Sequence, residues 1–383
     1  MENQPKKPHI LFLFSDTGGG HRSAAEAIIE ALNLEFPDRF STEMVDIFRE
    51  YTPPPLDKQP EMYPYLSRMT GMWRLGFRAS NGRRRIRMIY NMLWPYIQSY
   101  AERLLEEHPA DLIVSVHPVP NTPLLRVMRE RNIPYYTVVT DLVSTHAFWF
   151  NNKADLVIVP TEKARQRGLE LGLDEERLRV IGLPVADRFC QKAGSRQALR
   201  AKLGWPQDLP VIVLVGGGEG MGPLEKTAAA IDDARLPAAL VVIAGRNQKL
   251  KARLEERAWN TPTFVYGFVR EMPDFMLAAD VLVSKAGPGT ICEAFIAGLP
   301  VVLYSRVPGQ EEGNVDYVVE SQAGVWAPEP ELVADALRNW LVDHPEERER
   351  ASQAALEHAR PNASREIARV LAERLGIKHA VPE

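Results

Sequence analysis

Little in this sequence points to stabilisation from outside its own cores. Two cysteines, Cys190 and Cys292, occur in 383 residues. That is too few for a disulfide framework and fits a reducing compartment. No apolar run approaches the ~18 residues of a membrane span. The opening stretch, MENQPKKPHILFLF, is too briefly apolar for a signal peptide, and a strand-like segment follows at once. Charge of one sign is also scarce: the formal net charge is −4. This excludes a protein that grips nucleic-acid phosphates with its whole surface. What is present is ordinary for a globular chain, 45% hydrophobic and 25% charged, with length for two domains or three at ~100–200 residues each.

The low net charge hides an asymmetry. Residues 1–200 carry 27 basic and 24 acidic side chains, residues 201–383 carry 19 and 26. The window 51–100 alone holds eight basic and two acidic residues. It also holds nine of the 31 aromatic residues, about twice its share, and five of eleven methionines. Aromatic and basic residues interleaved with Met, Leu and Ile read as an interfacial segment. Arginine near an anionic leaflet contributes roughly 1 kcal/mol per residue. An ordinary cationic helix with its aromatics packed inward is the other reading.

Short runs rich in Val, Ile and Leu alternate with helical stretches, the pattern of parallel strands buried on both faces within βαβ units. The expected strands are His9–Ser15, Leu112–Val116, Tyr135–Val139, Leu156–Val159 and Val180–Leu183. A second series follows at Val211–Val215, Leu240–Ala244, Phe264–Tyr266, Val281–Ser284 and Val301–Tyr304. The series restarts: HILFLFSDTGGGH and VIVLVGGGEGMG have the same strand-then-glycine shape about 200 residues apart. This predicts an α/β fold of two Rossmann-like domains, residues 1–190 and 191–383, with the last helix free to pack back on the first domain. A ligand is expected at the carboxyl ends of the strands.

Three motifs carry chemistry. In Ser15–Ile28, glycines after a strand let backbone amides meet a ligand at a helix start, and the helix dipole there favours a neutral His21 able to accept a proton. The segment is neither G-x-G-x-x-G nor a P-loop, and a tight turn with a surface histidine is the plainer reading. In Gly216–Pro223, the amides of a glycine-rich turn suit a phosphate or diphosphate; a mobile loop is the alternative. In Ser284–Asn314, Gly287, Gly289 and Thr290 open a helix, and Glu293 falls one turn on, where a carboxylate can take both ribose hydroxyls. Gln310, Glu311 and Asn314 then suit bidentate bonds to sugar hydroxyls.

The first and third motifs resemble the monogalactosyldiacylglycerol synthase and processive diacylglycerol glucosyltransferase group, from His9 to about Arg369. The resemblance is weak across residues 50–110. It implies the GT-B fold: two Rossmann-like domains, parallel sheets facing across a cleft, the first for the acceptor and the second for a UDP-sugar, with anomeric inversion. By motif, His21 matches the catalytic base, with Gly19 and Gly20 beside it. Gly287, Gly289 and Thr290 match the diphosphate loop, and Glu293 the ribose ligand. Gln310, Glu311 and Asn314 match donor-sugar contacts, and Gly217, Gly218, Gly220 and Met221 the second glycine loop. Phe268 and Val269 match the segment framing the uracil. Asp141 and His146, in TDLVSTHAFWF, match a segment that lines the acceptor cleft or orients His21. For these two and for His117, a purely structural role stays open. Typical members read Arg-Ala-Ser-Ala where this chain has Arg-Ser-Ala-Ala, which keeps small residues.

The implied partners are UDP-galactose or UDP-glucose, a lipid acceptor such as diacylglycerol, and an anionic membrane surface met through residues 51–100, with no nucleic acid. No Asp-x-Asp occurs, so neither a metal nor another cofactor is expected. Plant members carry a transit peptide. With none read here, the expectation is a bacterial-type enzyme, cytoplasmic and peripheral at the inner face of the membrane. Three alternatives stay open: transfer to another lipid-linked acceptor, a UDP-N-acetylglucosamine 2-epimerase, and a non-catalytic UDP-sugar or lipid binder.

Overall fold

The computed structural model describes residues 7–17, 19–59, 61, 70–128, 132–191, 194–220 and 222–378, without the side chains of residues 70, 72 and 73. The chain divides into two compact units. Unit 1 comprises Met1–Asp187, Pro308–Gln310 and Asn362–Glu383; unit 2 comprises Arg188–Val307 and Glu311–Pro361. Each is built on a six-stranded, all-parallel sheet.

In unit 1 the strands are β1 (His9–Phe14), β2 (Ser41–Asp46), β3 (Leu112–Ser115), β4 (Tyr135–Val138), β5 (Leu156–Val159) and β6 (Leu178–Val180), in the order β2-β1-β3-β4-β5-β6. Unit 2 holds β7 (Val211–Val215), β8 (Ala239–Ile243), β9 (Thr263–Tyr266), β10 (Val281–Lys285), β11 (Val301–Ser305) and β12 (Gly324–Trp326), in the order β12-β11-β10-β7-β8-β9. Ile10 to Leu13 and Val211 to Leu214 are sealed on both faces, as their unbroken apolar runs require.

Two strands have no counterpart in the expected set. β2, STEMVD, and β12, GVW, are the outermost strands of their sheets. An edge strand is covered on fewer sides, so it lacks the continuous apolar run that marks a central one. β6 spans Leu178–Val180 rather than Val180–Leu183; it too is an edge, and Arg179 and Val180 are exposed.

In each sheet the order in which strands are added reverses once. β1 sits between β2 and β3, and β7 between β8 and β10. The loops after β1 and β3, and those after β7 and β10, therefore diverge and leave a crevice at the carboxyl ends of the strands. Helix α1 (Gly20–Glu35) follows β1 and buries Ala24, Ala27, Ile28, Ala31 and Leu32, a stripe at helical spacing. Helices α2 (Thr70–Ser80) and α3 (Arg83–Glu107) come from the basic window, of which residues 60 and 62–69 lie outside the described set. Helix α4 (Pro288–Ile296) follows β10 in unit 2. Helix α5 (Ala363–Arg374) belongs to unit 1, where Ile367, Ala368, Leu371 and Ala372 join the core that holds Ala25, Ile28 and Leu32.

Candidate active site

In unit 1 the crevice gathers histidines. Gly19, in the left-handed region at φ 78°, is the N-cap that turns the chain from β1 into α1. No Cβ fits that conformation without strain. A Cβ added at Gly20 would meet open space, so the backbone there is accessible. Arg22 closes the turn through two bonds to the Asp16 carboxylate, at 2.6 and 2.9 Å.

His21, in the first turn of α1, has its Nδ1 2.8 Å from the Val116 carbonyl and 2.9 Å from Thr140 Oγ1. A carbonyl only accepts, so Nδ1 carries the proton and Nε2 keeps its lone pair. Burial lowers the His21 pKa to about 4, against a smaller raising effect of the Val116 bond. The ring is thus neutral at pH 7.

His117 stands edge-on to His21, ring centroids 4.5 Å apart. Its Nδ1 accepts from the Val119 N–H at 3.3 Å, so Nε2–H donates to Thr17 Oγ1 at 3.3 Å. Burial, and then His21 beside it, holds its pKa well below the usual range. His146 is likewise used at both nitrogens. Nδ1 accepts from the Phe148 N–H at 3.2 Å, capping the short helical turn Ala147–Trp149, and Nε2 meets Ser80 Oγ at 3.1 Å. Burial lowers its pKa to about 4, with a smaller opposing effect at Phe77. Asp141 is buried, and its Oδ2 accepts from Trp149 Nε1 at 2.7 Å. His21, His117, Asp141 and His146 all line one cavity of about 350 Å³.

In unit 2 the crevice is built from backbone. After β7, Gly217 and Gly220 have positive φ. A Cβ at Gly220 would come within 2.3 Å of the Ala244 carbonyl oxygen, so only glycine lets the loop approach β8 this closely. Gly218 accepts from the Arg246 N–H at 2.8 Å. Met221 lies outside the described residues. Arg246 also bonds Glu219 at 2.7 Å and covers one face of the Phe268 ring, 4.5 Å from its centroid. Phe268 is exposed and Val269 half-buried.

After β10, Gly287 is the N-cap of α4, and Gly289 and Thr290 lie in its first turn. Glu293 follows on the same helix. Burial raises its pKa to about 7, with Arg188 opposing. Burial, with Glu293 nearby, pushes the Cys292 thiol up to about 12, so it is inert as a nucleophile. Glu311 is 4% exposed. Its Oε1 meets Lys285 Nζ at 2.5 Å and its Oε2 accepts from the Val307 N–H at 2.8 Å. The carboxylate thus holds a loop and a lysine, and each oxygen keeps a second lone pair for a further donor. Asn314 donates to the Ala286 carbonyl at 2.9 Å, while its buried Oδ1 has no partner among the described residues. Gln310 lies in the segment Pro308–Gln310, which counts with unit 1.

Motif reading passed over three groups that the geometry brings in. Val116 and Thr140 hold His21. Lys285 lies between the two glycine loops, where a Cβ at Gly217 would meet its Cε at 3.2 Å and one at Gly287 its Nζ at 3.2 Å. The signals were adjacent: Thr140 precedes Asp141, and Lys285 precedes Ala286-Gly287. Among the described residues, no three or more His, Cys, Asp or Glu side chains are grouped so as to hold a metal ion.

Comparison with known proteins adds to this geometry. Residues 21–185 match the family model described as monogalactosyldiacylglycerol (MGDG) synthase, and residues 195–358 the model described as glycosyl transferases group 1. The chain is 38% identical over 372 residues to monogalactosyldiacylglycerol synthase, chloroplastic, of Spinacia oleracea, covering 94% of this chain and 71% of that protein. It is 37% identical over 365 residues to monogalactosyldiacylglycerol synthase 3, chloroplastic, of Arabidopsis thaliana, covering 92% and 78%. Among solved structures, the S. aureus MnaA–UDP co-structure aligns with a TM-score of 0.65 at 16% identity, over 98% of this chain and 99% of that one. A glycotransferase of kitacinnamycin aligns at 0.63 and 16%, over 97% and 100%. A UDP-N-acetylglucosamine 2-epimerase aligns at 0.60 and 15%, over 99% of each. At such identities the likeness establishes the two-Rossmann, GT-B architecture, which transferases and an epimerase share, and not the reaction.

Proposed function

This chain belongs to the monogalactosyldiacylglycerol synthase family of glycosyltransferases, and from that premise we propose that it moves a hexose, galactose or glucose, from a UDP-sugar to the free hydroxyl of diacylglycerol with inversion at the anomeric carbon. Unit 1 receives the lipid and supplies the base; unit 2 binds the donor. The observation that carries this reading is His21. With Nδ1–H held by Val116 and Thr140, its Nε2 is a neutral, desolvated acceptor on the wall of a cavity.

The acceptor hydroxyl gives its proton to Nε2 of His21 while its oxygen bonds to the anomeric carbon. The bond from that carbon to the diphosphate breaks on the opposite face, and UDP leaves. One base suffices, unlike the two carboxylates of a retaining glycosidase. The charge gained by UDP is met by the amides of Gly289 and Thr290 in the first turn of α4, by those of Gly217–Glu219, and by the Lys285 ammonium between these loops. Glu293 takes the ribose hydroxyls, and Phe268, with Arg246 on one face, frames the base. Asn314 fixes the Ala286 carbonyl at the turn. No step calls on a metal or other cofactor.

The acceptor is reached at a membrane surface. Helix α3 exposes Met88, Met92 and Tyr96 at a spacing of four, each more than two-thirds accessible, and α2 exposes Leu75. Arg83, Arg84, Arg85 and Arg87 are exposed at the start of α3. An apolar stripe among arginines suits an anionic leaflet. No helix among the described residues is long and apolar enough to cross a membrane, so attachment is peripheral in this reading.

Incubation with UDP-galactose or UDP-glucose and diacylglycerol vesicles, with and without anionic lipid, tests it. The expected product by mass spectrometry is a hexosyl-diacylglycerol, formed faster on anionic vesicles. Conversion of the sugar nucleotide without any acceptor would instead identify an epimerase.

A further inference from the structure

A second cavity, of about 240 Å³, lies in unit 1 beneath α3. It shares Gln59, Val119 and Phe148 with the cavity that His21 lines. We propose that it receives one acyl chain of the acceptor lipid, the other chain staying in the bilayer. The proposal rests on the acceptor being diacylglycerol, as read above.

The lining is hydrocarbon. Leu93, Ile97, Ala101 and Leu104 come from α3, and Phe48 and Leu124 face them. Away from Gln59 at the shared wall, the polar side chains that line it are already paired. Tyr90 Oη donates to the Val119 carbonyl at 2.7 Å, Thr52 Oγ1 to the Ile47 carbonyl at 2.8 Å, and Tyr51 Oη meets Glu107 and His108. A cavity whose polar groups are satisfied elsewhere offers water too few partners and takes an apolar guest.

Position identifies the guest. Along α3, residues 86, 90, 93, 97, 101 and 104 form one stripe at helical spacing, facing the core and the cavity. Met88, Met92 and Tyr96 form another, facing outward. One helix thus presents an exposed apolar stripe and an apolar cavity on different sides, their centres about 140° apart around its axis. The cavity's other end adjoins the catalytic one at Gln59, Val119 and Phe148. A molecule that fits both must be apolar along its length and carry a hydroxyl at one end. A diacylglycerol with its glycerol at the shared wall meets that description.

The test uses the full chain on phosphatidylcholine–phosphatidylglycerol vesicles. They carry a diacylglycerol with a diazirine at the end of one acyl chain. Irradiation and peptide mapping should place the label at Leu93, Ile97, Leu104 or Leu124. Label confined to Met88, Met92 and Tyr96 would overturn the proposal, since the chain would then remain outside the helix. A second arm fills the cavity with Ala101→Phe, its folding checked by thermal unfolding. KM for a dioleoylglycerol should rise about tenfold or more, the scale on which a hydrophobic pocket discriminates chain length. KM for a dibutyrylglycerol should change little, and equal rises for both would count against the cavity. Failure of the wild-type protein to glycosylate either lipid would instead reject diacylglycerol as acceptor.

Discussion

The two units share a topology and differ in what fills the crevice at the strand ends. In unit 1 the loops after β1, β3 and β4 bring side chains that can hold or release protons: His21, His117 and Asp141, with His146 just beyond. In unit 2 the corresponding loops bring glycines, backbone amides and one ammonium, Lys285. Proton transfer needs a desolvated side chain with a defined tautomer. Gripping a diphosphate needs bare backbone that can come close. On the reading proposed above, one architecture serves both because the units differ in a few residues at their own switch points.

The strongest way to break this contrast is His21→Ala. Loss of the proposed base should lower kcat by roughly 10²–10⁴-fold, while UDP affinity, assigned above to unit 2, should be unchanged by calorimetry. Weakened UDP binding with normal turnover would reverse the assignment. Lys285→Met should strike the donor side. It removes the charge between the glycine loops and should weaken UDP binding by about ten- to a hundredfold, as loss of one charge-assisted contact would. The pH dependence of kcat at saturating donor should keep its shape, because that shape belongs to His21.

Titration sharpens the comparison further. His21 has a pKa near 4, so the acid limb of kcat, measured with both substrates saturating, should fall near pH 4 and not near 6.5. Stability follows the same groups. Above pH 6.5, His21 and His146 are neutral in both the folded and unfolded chain and contribute no pH dependence. As pH falls from 6.5 towards 4, only the unfolded chain takes up these protons. Unfolding free energy should therefore drop by up to about 1.4 kcal/mol per pH unit for each histidine. Denaturant melts at pH 7, 6 and 5 would measure it.

Glu293 runs the other way. Its carboxyl is held near pKa 7 by burial, and ribose hydroxyls donate best to the ionised form. UDP affinity should weaken as pH falls below 7, by at most about tenfold per unit, and Glu293→Gln should flatten the difference. The smallest effect is expected outside both crevices. Replacing Met88, Met92 and Tyr96 with serine should lower binding to anionic vesicles in sedimentation assays while leaving turnover of a detergent-dispersed acceptor nearly intact.

Central strands were readable because sealing both faces demands an unbroken apolar run, as in His9–Phe14 and Val211–Val215. β2 and β12 were not, because an edge strand such as STEMVD can stay half polar. The glycine turns and His21 announced themselves by local pattern. What holds them did not. Val116 acts through its carbonyl, which no side-chain pattern reports. Thr140 is 119 residues from His21 and meets it only because β1, β3 and β4 are neighbours in the sheet. Lys285 and Glu311 are 26 residues apart and are joined by the crossover between β10 and the loop after β11. Glu311 illustrates the limit: the motif identifies the loop, and only packing shows that its carboxylate also meets Lys285 Nζ and the Val307 N–H.

The anomeric configuration of the product tests the single displacement most directly. It is read from the proton NMR coupling at the anomeric carbon of glycolipid made from α-linked UDP-galactose or UDP-glucose. With His21 as the one base and UDP leaving from the opposite face, the glycolipid should be the β-anomer. An α-anomer would require a second displacement or attack from the leaving-group side, and would contradict the role given to His21.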